Sequence, residues 1–91
     1  MKKFTRFSNP FHPGEILLEE FLEPKEMSQR EFAHKIGWTP RKLNEIINGK
    51  RSITALSAID LSRALGTTPE FWLNLQQTWD LNQAYKLKKA A

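Results

Sequence analysis

Between Gly37 and Arg51 the chain reads GWTPRKLNEIINGKR, in which Arg41, Glu45 and Asn48 recur at helical spacing. At the α-helical step of about 100° per residue these side chains fall on one side, with Lys42 and Asn44 on its flanks. Leu43, Ile46 and Ile47 fall almost opposite. The residue types define a chemistry. A planar guanidinium grips guanine O6 and N7 bidentately, an Asn amide pairs with adenine, and a carboxylate accepts from cytosine N4. Lys50 and Arg51, just past the helix, are placed to reach phosphates as screened charges. Ser28 and Gln29 offer another phosphate a backbone N–H and a side-chain amide. On periodicity alone, a polar face on a short helix is more simply a solvated surface. The elements around it must decide.

Thr39 is an N-cap type, and Pro40 takes the first helical position, where its missing N–H costs nothing; Gly49 closes the helix. Before it, Ser28 caps another helix with Glu31 in capping-box register. Phe32, Ala33 and Ile36 are the buried face of that helix, and Gly37 stands where a left-handed residue must end it. Only Gly37-Trp38 joins the pair, and Ala33 is small where crossing helices approach. This is the helix-turn-helix pattern, whose second helix enters the major groove of DNA. Upstream, Pro13 and Glu15 open a helix with Leu17, Leu18, Phe21 and Leu22 at helical spacing, and Pro24 ends it. Downstream, a fourth helix runs from about Thr54 to Leu65, with Leu56, Ile59, Leu61 and Leu65 apolar, and Gly66 ends it. Thr68-Pro69-Glu70 starts a fifth, carrying Phe71, Trp72, Leu75 and Trp79 and turning basic toward Lys86, Lys88 and Lys89. The pattern predicts an all-α, five-helix DNA-binding domain with no strand.

At 91 residues, with 26% charged and 40% hydrophobic side chains, the chain has the length and composition of one globular domain rather than a disordered segment. Its expected core spans about residues 12–81, between flexible basic ends, MKKFTRF and the lysine-rich tail. No apolar run is long enough for a membrane span or a signal peptide. The absence of cysteine rules out disulfides and thiolate metal sites and fits a reducing cytoplasm. The net charge of +4 is unevenly spread. Phe11 to Met27 carries Glu15, Glu19, Glu20, Glu23 and Glu26 against Lys25, whereas Ser28 to Arg51 carries Arg30, Lys35, Arg41, Lys42, Lys50 and Arg51 against Glu31 and Glu45. Such asymmetry orients a domain in the field of a polyanion.

The competing class is catalytic. His34 with Lys35 could serve a small basic ribonuclease, but no second catalytic group stands at helical spacing from His34 to complete a site. His12 and His34 have no paired carboxylates at metal spacing, so neither metal nor cofactor is expected, and both are read as satisfied or exposed.

MSQREFAHKIG, RKLNEIINGKRSIT and LSRALGTTPEFW together resemble the lambda-repressor-like, Xre-type DNA-binding domains. More narrowly, HPGEILLEEFLEP and ITALSAIDLSRALGTTPEFWLNLQ resemble the HigA branch of antitoxins, which includes the virulence-associated I-type regulators. The likeness runs from about His12 to Leu81. It implies a dimeric repressor that binds a palindromic operator and neutralises an mRNA-cleaving toxin encoded beside it. A stand-alone regulator without a toxin is the alternative. Matched positions imply Gln29 as a phosphate contact, Pro40, Arg41 and Glu45 on the base-reading face, and Asn48, Lys50 and Arg51 at the backbone. Trp38 departs from the family, which has Val or a similar small apolar residue there; this bears on the packing of the turn and the angle of the third helix.

Two further expectations concern protein partners. Trp72, Leu75 and Trp79 form an apolar stripe whose outer part is expected at the two-fold contact of a homodimer. Glu15, Glu19, Glu20 and Glu23 offer a basic toxin an acidic docking side on the first helix, the plainer reading being that they keep the helix soluble.

Overall fold

The computed structural model describes residues 10–90. α1 (Pro13–Ile16) continues into a π-helical segment (Leu17–Leu22), followed by α2 (Gln29–Ile36), α3 (Pro40–Ile47), α4 (Ala55–Leu65) and α5 (Pro69–Ala90). No strand occurs among the described residues. The basic N-terminal segment MKKFTRF lies outside them. Among the described residues no helix is long and apolar enough to cross a membrane, and no group of His, Asp and Glu could hold a metal ion.

The caps form as their residue types require. Ser28 Oγ accepts from the Glu31 N–H at 3.1 Å while the Ser28 N–H donates to Glu31 Oε1 at 3.2 Å, a reciprocal capping box. Thr39 Oγ1 accepts from the Lys42 N–H at 3.1 Å, and Thr54 Oγ1 from the Ser57 N–H at 3.2 Å.

The first helix departs from the expected α geometry. The Glu23 N–H donates to Leu18 O at 2.9 Å, an i→i+5 bond that widens the turn. Leu17 and Leu22, which this wider turn brings to one side, are fully buried, whereas Leu18 and Phe21 are half-buried. Apolar spacings of three and four suit both periods, so the pattern carried no sign of the change.

Leu17, Leu22, Phe32, Ala33, Leu43, Ile46, Ala58, Leu61 and Trp72 make the centre of the core, each with at most 1% of its surface exposed. Burying each large side chain contributes about 1.5–3 kcal/mol. Leu56 does not join them: it is 76% exposed on the first turn of α4, and the buried face of that helix runs through Ser57, Ala58 and Leu61.

Trp72 requires a second correction. It is wholly buried, its indole N–H donates to Thr67 Oγ1 at 2.7 Å, and its ring lies 5.3 Å from that of Phe21. A side chain without accessible surface cannot meet a second copy of the chain. Leu75 is half-buried against the same core, and Trp79 is half-buried with its ring edge-on to His12 at 5.3 Å. α5 also continues to Ala90, past the expected core limit. Ala84, Lys86, Leu87, Lys88 and Lys89 are strong helix formers, and the terminal cations oppose the negative end of the helix dipole.

Candidate nucleic-acid interface

α2 ends in a tight reversal. The Trp38 N–H donates to Ala33 O at 2.9 Å and the Gly37 N–H to His34 O at 3.3 Å, with Gly37 left-handed at φ 76°. The chain thereby turns into the Thr39 cap of α3 with no intervening loop. Ala33, fully buried, lets the two helices cross closely. Trp38 resolves the departure noted in the sequence. Its ring is buried, and its indole N–H donates to Asp60 Oδ2 on α4 at 2.9 Å. The turn packs around the indole and gains a polar tie to the next helix.

α3 then presents its polar residues outward while Leu43, Ile46 and Ile47 are buried. Arg41 is exposed at the start of this face, and Glu45 one turn later carries a carboxylate between two cations. Arg41 Nε lies 3.4 Å from Glu45 Oε2, and Arg51 Nη2 lies 2.7 Å from Glu45 Oε1. Hydrogen bonding from Arg51, aided by Arg41, holds the Glu45 carboxyl below its ordinary pKa. Asn44 Nδ2 donates to Gln29 Oε1 at 3.4 Å, so the start of α2 joins the face of α3. Ser28, Asn48 and Lys50 are exposed around it. Lys42 leans away: its Nζ lies 4.4 Å from the centroid of the Trp38 ring, a cation–π contact. Pro40 and Thr39 remain exposed at the N-terminus of the helix.

His34 borders an open cleft of about 520 Å³ with Arg30, Glu31, Trp38 and Pro40. Among the described residues, its carboxylate lining is that of Glu31, which is engaged in the capping box that holds its pKa below the ordinary value. Among the described residues, no acid–base pair is assembled around His34.

Several residues that position this surface carried little signal. His12 caps α1, its Nδ1 accepting from the Gly14 N–H at 3.0 Å, although His is not a usual capping type. It is also buried against Trp79 and lies beside Gly49 at the end of α3. Gly14 marks where α1 touches α3 backbone to backbone. A Cβ built there would stand 1.8 Å from Ile46 O, so no larger residue fits. Gln76, buried on α5, accepts from the Ile53 N–H at 2.7 Å and so holds the loop that follows α3. Long-range contacts of this kind leave no trace in periodicity.

Two helices joined by a tight turn, the second offering Arg, Asn and Glu outward, define a helix-turn-helix DNA-binding domain. The pattern of the helix-turn-helix family matches residues 18–72. The chain belongs to this family, in the branch that contains the HigA antitoxins. It is similar to antitoxin HigA-1 of Vibrio cholerae, with 40% identity over 89 residues that cover 94% of this chain and 82% of the relative. It is also similar to an uncharacterised HTH-type transcriptional regulator, YddM, of Escherichia coli, with 37% identity over 89% of this chain and 85% of the relative. Among solved structures, Pseudomonas aeruginosa antitoxin HigA with the higBA promoter superposes with a TM-score of 0.85 at 36% identity, covering 90% of this chain and 89% of that one.

Proposed function

We propose that this chain is a sequence-specific transcriptional repressor of the antitoxin type. It binds a palindromic operator as a homodimer, represses its own operon and neutralises an mRNA-cleaving toxin. The observation that carries the DNA-binding half is the continuous outward face of Arg41, Asn44 and Glu45, joined to Gln29 across the turn. In this reading Arg41 and Asn44 meet base edges, with Pro40 and Glu45 on the same face beside them. Ser28, Gln29, Thr39, Asn48 and Lys50 hold the DNA backbone, whereas Lys42, turned onto the Trp38 ring, is not used. The relative solved with its promoter supports the same use of the fold.

Anisotropy titration of a duplex from the chain's own upstream region, against a shuffled duplex of equal length, tests this half. Specific binding on the order of a thousandfold tighter is expected; equal affinity would reject it. The toxin half rests on the HigA relatives. It is tested by co-expression with the adjacent reading frame, where rescue of growth and co-purification are expected. The similarity to a regulator such as YddM favours a second reading, a stand-alone repressor. That reading takes over if the neighbour is harmless or remains toxic beside this protein.

A further inference from the structure

We propose that Arg51, held by Glu45, is a base-reading residue and not a phosphate contact; this rests on the DNA-binding reading above. The backbone places it there. Gly49 is left-handed at φ 74°, its N–H donates to Ile46 O at 3.1 Å, and the Lys50 N–H donates to Glu45 O at 2.8 Å. This Schellman reversal folds the chain back along the last turn of α3. On the far side, the Ile53 N–H is fixed to the buried Gln76 at 2.7 Å. Arg51 therefore springs from a loop anchored at both ends, and its side chain returns over the outward face of α3.

The orientation of the guanidinium completes the argument. Arg51 Nε and Nη2 both donate to Glu45 Oε1, at 2.9 and 2.7 Å. That uses the side edge of the fork and leaves the end edge, Nη1 and Nη2, with its outward N–H groups available. The end edge is the one that can donate bidentately to guanine O6 and N7. The Arg51 side chain is 48% exposed and that of Glu45 27%, so the arginine reaches outward and the glutamate lies behind it as the buttress. Glu45 thus acts as a positioning residue, and its carboxylate is engaged by Arg51 instead of being free for cytosine. Lysine carries the same charge but has no second edge.

The test begins with wild-type protein and a pool of duplexes randomised over the central base pairs, from which a consensus is selected. Each position of that consensus is then substituted singly, and affinities are measured for wild type, Arg51→Ala, Arg51→Lys, Glu45→Gln and Glu45→Gln/Arg51→Ala, with circular dichroism to verify folding. Arg51→Ala and Arg51→Lys should both lose about 5- to 150-fold of discrimination at the same G·C pair. Glu45→Gln should lose part of it, and should change nothing further at that pair once Arg51 is removed. Uniform weakening by Arg51→Ala on every duplex, with Arg51→Lys behaving as wild type, would overturn the proposal and return Arg51 to the phosphates. Failure of the wild type to select any consensus would instead remove the DNA-binding reading itself.

Discussion

Arg41 and Lys50 lie on one surface and should answer to different tests. Arg41→Ala removes a bidentate donor from the start of the face and should cost about 1–3 kcal/mol at one base pair. Lys50→Ala should weaken all duplexes alike and lower the slope of affinity against salt by about one ion. Equal losses on specific and shuffled DNA for Arg41→Ala would count against base reading there. His12 makes a prediction about folding. Burial lowers its pKa, with Asp80 opposing, below the ordinary value of about 6.5. The unfolded chain therefore binds the extra proton first as pH falls. Stability from the neutral cap is complete above about 6.5 and declines as pH drops through the window beneath it. His12→Asn keeps a capping oxygen and cannot titrate there. The thermal midpoint of the wild type should fall relative to this variant between neutral pH and about pH 5, and a constant offset would refute the assignment.

At the scale of elements, the seat of α3 depends on Gly14. Its missing Cβ lets α1 lie against Ile46 and Ile47, where a methyl would meet backbone atoms that cannot swing aside. Gly14→Ala should therefore lower the thermal midpoint strongly and weaken DNA binding with it, since α3 must shift to admit the side chain. An unchanged midpoint would mean that the contact is looser than the geometry requires. The helices themselves were legible in the sequence because most of their ends are chemically marked: Ser28 and Thr39 as caps, Gly37, Gly49 and Gly66 as stops. The polar face of α3 was equally plain, since it depends only on spacing within one helix. Its supports were not. Gly14 against Ile46, Trp38 with Asp60, and Ile53 with Gln76 join residues distant in the chain, and no local pattern encodes such pairs. Leu56 misled for the converse reason: hydrophobicity alone does not say which apolar residue of a short helix faces water.

For the whole molecule, assembly is the open consequence of α5. With Trp72 committed to the core, its Leu81 and Tyr85 remain 50% and 66% exposed on the outer half. If the proposed homodimer pairs through α5, this outer half beside Trp79 is where the two copies are expected to meet. Tyr85→Glu should shift sedimentation toward the monomer while helical content by circular dichroism stays unchanged, and a persistent dimer would move the contact elsewhere. Trp72→Ala, in contrast, should unfold the chain at lower temperature by about 3–5 kcal/mol of lost stability, whatever its oligomeric state. A different consequence follows from the π-helical turn in the first helix. Such a turn is an α-helix holding one residue more than its period needs. The chain thus has a residue to spare, at a place where Glu20 is exposed. Removing Glu20 should let the segment close to ordinary α period with Leu17 and Leu22 still facing the core. Loss of Arg30 from α2 would rotate Phe32 and Ala33 out of theirs. If the two shortened chains melt at the same temperature, the wide turn is not the slack it looks to be.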